Sequence, residues 1–260
     1  MRAFFETIGV FLLTMSLSAP AIAEGPEGFD AIYDEPTKVN LGGRPVIADI
    51  AYYVNKEAAE DGDLQLALVT DVTKFITETE RDLKNWVATR QDRCGERWSA
   101  GDPVIAFPPG AIQFSLELNI ELWNCGWNGR GEPSRLAREG GKVEVILQPY
   151  VKDGKLQAYL EEFSIDEQTG VSKYLPLEYV IRRVMTNELY KLNQNPKFYR
   201  APTPLLEENF VYESIEAEET ATGRVIITAR YKAEGTTAAL DRVVENTRDT
   251  GITQKPREKN

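Results

Sequence analysis

Three pairs of adjacent carboxylates, Glu161–Glu162, Glu207–Glu208 and Glu218–Glu219, are the residues of this sequence most readily assigned a reaction. Two acids about 5 to 9 Å apart hydrolyse glycosides. Successive side chains on a strand point to opposite faces, however, so adjacent acids do not converge on one bond, and we read all three pairs as solvated charge. The acidic stretch EDGD, Glu60 to Asp63, offers oxygen ligands but lacks the regular spacing and terminal glutamate of a calcium loop. GRGEPSR, Gly129 to Arg135, has glycines without the lysine of a phosphate-binding loop. The chain contains no histidine. That excludes Ser-His-Asp and Cys-His nucleophile systems and removes the commonest ligand of zinc and copper. The expectation is a protein that is not an enzyme and that uses no metal and no cofactor.

The two cysteines, Cys94 and Cys125, lack the C-x-x-C spacing of a redox pair. Their compartment decides their role. Arg2 precedes an apolar run from Ile8 to Leu17, and Ala21–Ile22–Ala23 offers the small residues a signal peptidase needs, so residues 1–23 read as a signal peptide cleaved near Ala23. The apolar run is too short to span a bilayer, and no later stretch reaches the roughly 20 apolar residues required. No cysteine follows the cleavage site to carry a lipid anchor. A free periplasmic or secreted protein is expected, in which an even cysteine count means a disulfide. The net charge is −11, and the leader's Arg2 and Glu6 cancel, so the mature chain keeps it. Such a balance works against nucleic acid and anionic membrane surfaces, which need clustered Lys and Arg.

Residues 24–43 are rich in Gly, Pro and acids and read as an irregular lead-in. A strand is expected over Pro45 to Val54. Leu64 to Val69 is either a short strand or a helix start. Beyond it Val72, Phe75, Ile76, Leu83, Trp86 and Val87 follow the i, i+3, i+4 spacing of one buried helix face, with Asp71 as its cap. Ile112, Phe114, Leu116, Leu118, Ile120 and Leu122 alternate with polar residues, the pattern of a strand with one wet face. Asn124 to Gly141 reads as a glycine-rich connection. Val145 to Asp166 is two alternating runs around Asp153–Gly154, a hairpin. A second amphipathic helix is expected from about Pro176 to Leu192, with Leu177, Val180, Ile181, Val184 and Leu192 on one side, then a hairpin from Phe210 to Lys232. Residues 234–260 read as a weakly structured tail. Hairpin-joined strands with helices to one side make the fold class α+β, a long curved antiparallel sheet packed around one or two amphipathic helices. Tyr52, Tyr53, Trp123 and Trp127 offer an aromatic surface for sugar or peptide, although rim packing suits their surroundings better.

Three segments together resemble the tubular lipid-binding (TULIP) superfamily, and most its small single-domain bacterial envelope members. These are LALVTDVTKFITETERDL (Leu66 to Leu83), VILQPYVKDGKLQAYLEEFSI (Val145 to Ile165), and LPLEYVIRRVMTNEL followed by FVYESIEAEETATGRVIITA (Leu175 to Ala229). Two features depart from the pattern: the small relatives are commonly lipoproteins, and the cysteine-bounded insertion at 94–141 is not part of it. The resemblance implies a single domain over residues 44–233, a sheet curled around a long helix, and an apolar seam that holds lipid, pointing to lipid transport across the envelope.

The seam candidates are Phe75, Ile76, Leu83, Trp86, Phe114, Leu116, Leu118, Ile120, Val180 and Val184. Burial of an acyl chain is worth up to about 0.8 kcal/mol per methylene, so such a seam binds without any catalytic group. The same side chains at the same spacing also serve as an ordinary close-packed core. In that case the alternative is an envelope interaction or scaffold protein that binds a partner protein through an exposed edge strand or its aromatic residues.

Overall fold

The computed structural model describes residues 25–41, 44–126, 130–170 and 177–252. Within them the antiparallel α+β class holds, but the strands divide between two sheets rather than forming one long sheet. The first has the order β1-β2-β3-β10-β9, with β1 at Asp30–Leu41, β2 at Arg44–Val54, β3 at Asp63–Asp71, β9 at Val211–Glu219 and β10 at Val225–Glu234. The second has β4 (Glu96–Ala100) and β5 (Val104–Ala106) paired end to end along β6 (Ile112–Asn124), then β7 (Ser134–Lys152) and β8 (Lys155–Asp166). The helices are α1 (Lys56–Glu60), α2 (Thr73–Ala88), α3 (Leu177–Gln194), the short α4 (Pro196–Tyr199) and α5 (Thr203–Glu207), and α6 (Ala238–Thr250).

The first sheet holds the closed core. β3 is its middle strand, and its run Leu66 to Val69 is buried on both faces, which explains why that apolar stretch carries no strand-like alternation. On one face Ile50, Tyr52, Leu64, Leu66, Tyr212 and Tyr231 pack with Leu205 of α5 and Leu240 and Val243 of α6. The other face is built from smaller side chains, Ala51, Ala67, Val69 and Ile226, under Tyr53 and Phe29. Tyr52 is fully buried on an interior strand, not at a rim, and its hydroxyl meets the Thr247 hydroxyl of α6 at 3.1 Å. Burial raises the Tyr52 pKa and keeps the phenol neutral.

Three readings of the sequence need correction. Residues 30–41, expected to be irregular, form β1, whose prolines and acids suit a strand at the sheet's edge with one side in water. Residues 238–250, expected to lie in a weakly structured tail, form α6. Ala239, Leu240, Val243 and Thr247 share its buried face, and Gly251 at φ +68° ends it. A Cβ there would lie 2.3 Å from the Lys38 carbonyl, the group that accepts from the Ile252 amide at 2.8 Å. Residues 134–141, read as connection, belong to β7. Their glycines lie where the sheet is crowded, since a Cβ on Gly140 would stand 2.5 Å from Asn119 Oδ1.

The expected leader, the end of the tail at 253–260, Trp127 and the start of the second helix at Pro176 lie outside the described residues. No helix among the described residues is long and apolar enough to cross a membrane.

If α6 closes the core, Leu240→Ala should cost about 2–5 kcal/mol of unfolding free energy in urea titration. A dispensable tail would show a change within about 0.5 kcal/mol.

Candidate functional site

Cross-strand partners share a face of a sheet, so the registers of the second sheet define what each face carries. Ile112, Phe114, Leu116, Leu118 and Ile120 of β6 stand opposite Leu147, Val145, Val143, Gly141 and Glu139 of β7. Val143 and Val145 in turn face Ile165 and Phe163 of β8. A bulge beside Leu147 then places one extra residue, Glu161, in β8, so Leu160 joins Phe163 and Ile165 on the same face despite its odd spacing. On the far side Trp98 and Ala100 of β4 and Ile105 of β5 extend the face opposite Ile120, Leu118 and Phe114. The result is one wide apolar floor. Its reverse carries Gln113, Ser115, Glu117, Asn119 and Glu121, with Arg97 stacked 4.0 Å over the Trp123 ring.

The floor is only half covered. Along β6, β7 and β8 one floor residue each is buried, Leu116, Val145 and Phe163, while Ile112, Phe114, Leu118, Ile120, Val143, Leu147, Leu160 and Ile165 keep intermediate exposure. In the first sheet the corresponding side chains are closed to water. An antiparallel sheet normally packs one face on a core and leaves its polar face wet. Here both faces reach solvent.

The helices explain why. α2 packs against β4 and β5 at one edge, and α3 against β8 at the other. Each is tied to the outward backbone groups of its edge strand. Glu80 Oε1 of α2 accepts from the Ile105 amide at 3.0 Å. Asn193 of α3 accepts from the Ala158 amide at 3.0 Å and donates to the Ala158 carbonyl at 2.8 Å, replacing a missing neighbour strand. Arg182 donates to the Phe163 carbonyl at 2.7 Å. Lys84 and Asp102 form a further ion pair beside β5. The helices therefore stand at the two rims.

The start of α2 is fixed as well. Asp71, the expected cap, lies one residue before the N-cap Val72, and its carboxylate accepts from the Thr73 amide at 2.9 Å and hydroxyl at 2.5 Å, while its other oxygen takes Arg224, just before β10, at 2.8 Å. Burial alone would raise the Asp71 pKa, but the Thr73 and Arg224 bonds outweigh it and hold the carboxyl below the ordinary aspartate value. At the other end of α2, Cys94 and Cys125 form a disulfide with Cα atoms 5.4 Å apart, which ties the segment after the helix to the end of β6.

Of the residues singled out from sequence, Phe114, Leu116, Leu118 and Ile120 do share one face. Phe75, Ile76, Leu83 and Trp86 lie on α2, but that helix meets β4, β5 and β10 rather than lying over β6. Its expected buried face is half-exposed, and Val87 is the residue of α2 that is buried. Trp86 joins the floor through Trp98, ring to ring at 5.8 Å, and Arg90 lies 4.8 Å over it. Val180 and Val184 belong to α3, and their side chains lie outside the described residues. The sequence reading missed Val145, Leu147 and Phe163 on the floor, which the alternation of the hairpin could have supplied. It also missed Glu80, Arg182 and Asn193, whose bonds to an edge strand leave no signal in a helical pattern.

The carboxylate pairs stand apart from this floor's apolar side chains. Glu161 and Glu162 are exposed at the bulge, Glu218 and Glu219 are exposed at the end of β9, and Glu208 forms a bidentate pair with Arg242 at 2.7 and 2.8 Å. A comparison with protein-family models finds no match to this chain, and neither does a comparison with curated proteins.

Because the folded Asp71 carboxyl titrates below its unfolded value, it contributes stability that is complete above about pH 4 and is lost as pH falls through the folded value. Thermal melts should therefore show Asp71→Asn less stable than the parent near neutrality, with the gap closing in acid. A gap that stays constant with pH would contradict the assignment.

Proposed function

We propose that this chain binds lipid or another apolar ligand by equilibrium burial in the trough between α2 and α3, on the floor of β6, β7 and β8. The observation that carries the reading is the half-exposed apolar floor between two helices hydrogen-bonded to opposite edges of one sheet. Contiguous apolar surface left open in a folded chain marks a binding surface. Along β6, Ile112 to Ile120 and beyond to Leu122 spans about 33 Å at the rise of an antiparallel strand. One leaflet's acyl chains occupy roughly half of a hydrocarbon core of about 30 Å, so an extended acyl chain fits along the strand. Each buried methylene contributes up to about 0.8 kcal/mol, and no reacting group is required.

The reading includes the tubular lipid-binding resemblance, with the helices serving as walls of a seam. It also includes a leader cleaved near Ala23 and a place in the periplasm or outside the cell. The disulfide supports an oxidising compartment. Transport of lipid across the envelope is the purpose that fits best.

Native mass spectrometry of protein purified from a bacterial periplasm without detergent, followed by lipid extraction, tests this directly. The expected result is a bound lipid at near one per chain, lost in Leu118→Glu and in Leu118→Glu with Ile120→Glu. Circular dichroism checks that each variant is folded, and the half-exposed position keeps the introduced charge hydrated. A clean apo mass that persists after incubation with membrane lipid vesicles, or full lipid retention in a folded double variant, overturns the proposal. A partner protein that copurifies through the same face would replace it with the interaction reading.

A further inference from the structure

A second concavity lies on the first sheet, away from the trough. It is a cavity of about 660 Å³ between α1, the paired ends of β1 and β2, and α6. Its apolar lining comes from Ile32, Val54, Ala59, Leu240 and Val244. Val54, Ala59 and Leu240 are buried in the core behind it, so this lining is fixed by the fold. The volume is that of a small-molecule site, where apolar walls supply affinity and a few polar groups supply orientation.

The charged groups around it are not balanced. Lys56 and Arg248 are its two cations, and each already has an acidic partner outside the lining: Asp30 at 3.1 Å and Glu35 at 2.9 Å. Four exposed carboxylates also line it, Glu60, Asp241, Glu245 and Asp249, and among the described residues none forms an ion pair with either cation; Asp241 feels the charge of Arg242, whose guanidinium is itself paired with Glu208. A ligand entering this cavity meets an apolar wall beneath a rim whose carboxylates outnumber its cations. Low-dielectric walls focus such a field and raise the local concentration of the opposite charge.

We infer that this cavity is a binding site for a small amphiphilic cation, an apolar body carrying one ammonium or guanidinium group. The apolar body lies against Leu240 and Val244, and the cationic head is held by the carboxylates of α6 and Glu60. Anionic amphiphiles of the same apolar body are rejected, because their charge would be placed among like charges. The assignment is independent of the trough.

The probes are octyltrimethylammonium and octanoate, titrated separately into the intact protein below micelle-forming concentrations and followed by calorimetry and by methyl NMR. The expected result is one cation per chain, with shifts at Leu240 and Val244, and no comparable binding of octanoate at this site. Raising the salt from 0.1 to 1 M shortens the Debye length from about 10 to about 3 Å, so affinity for the cation should fall. Glu245→Gln with Asp249→Asn should weaken it by about fivefold or more. Val244→Trp, with folding verified by circular dichroism, should fill the cavity and abolish it. Equal binding of octanoate at Leu240 and Val244, an unchanged affinity in the double carboxamide variant, or the absence of cation binding overturns the inference. Shifts confined to Leu118 and Ile120 would move the binding to the trough and overturn it equally.

Discussion

An outer strand carries a row of peptide groups with no ladder partner, and in the second sheet those rows belong to β4 and β5 on one side and β8 on the other; the segment after α2 serves β4, where the Trp98 amide donates to the Arg90 carbonyl and the Trp98 carbonyl accepts from Gln91. Left bare, such rows invite another chain to pair with them. Here side chains from two helices take the place of the missing strands: Glu80 for the Ile105 amide, Asn193 for both backbone groups of Ala158, and Arg182 for the Phe163 carbonyl. Pro149 fits the same economy of donors. It stands in β7 beyond the last β6 partner, where the Ile112–Leu147 pair ends the ladder, so its missing amide breaks no bond to β6. A helix that must reach an edge with polar side chains is held at that edge. It cannot also lie flat over the middle of the apolar face, and the floor between the rims is left half-open.

The two sheets therefore solve opposite problems with similar materials. In the first sheet α6 lies across the face and presents Leu240 and Val243 to it, with Thr247 meeting the one deeply buried phenol of β2, and water is excluded. Each large apolar side chain closed in this way contributes about 1.5–3 kcal/mol relative to exposure. That sheet can carry the stability of the fold. In the second sheet comparable side chains forgo part of that gain, which a bound apolar molecule could recover. A disulfide at its far end and the Asp71–Arg224 pair at the root of α2 restrain the rim where the free energy of packing is incomplete.

Much of this was legible in the residues. The alternation of β6, the Asp153–Gly154 turn with both residues at positive φ and the helix beginning after Asp71 follow from local rules, and local rules decide them, while the pairing of Cys94 with Cys125 follows from there being two cysteines. The failures share a cause. β1 and α6 are short of apolar residues because each is covered on one side only, so their composition resembles a lead-in and a tail. The buried stripe Leu240, Val243 and Thr247 followed by Gly251 was present as a signal, but Glu, Asp and Arg around it dominate the composition. The division into two sheets depends on which edges pair at long range, and periodicity carries no information about that. The placement of α2 beside β6, rather than over it, was hidden for the same reason: its apolar spacing names a face, not the surface that face meets.

The open floor also needs something to hold it in place, and the hairpin of β7 and β8 supplies it. At its tip Gly154, at φ +69°, offers its carbonyl to the Tyr212 amide of β9 at 3.2 Å, and a Cβ at Gly154 would approach Val211 to 2.9 Å. Val151 and Leu156, just behind the turn, pack against the closed core of the first sheet. Strands β7 and β8 of the second sheet are thus anchored at one end in the part of the molecule that excludes water most completely. Their other end runs back to the floor. Rigidity at the anchored end reaches the floor through the β7–β8 ladder, which runs on past its single bulge at Glu161, so the trough does not depend on the collapse of its own apolar side chains to keep its shape. A surface held open by a remote core avoids much of the ordering cost that a ligand must otherwise overcome, and that is the physical condition under which an apolar floor with no reacting group can still bind.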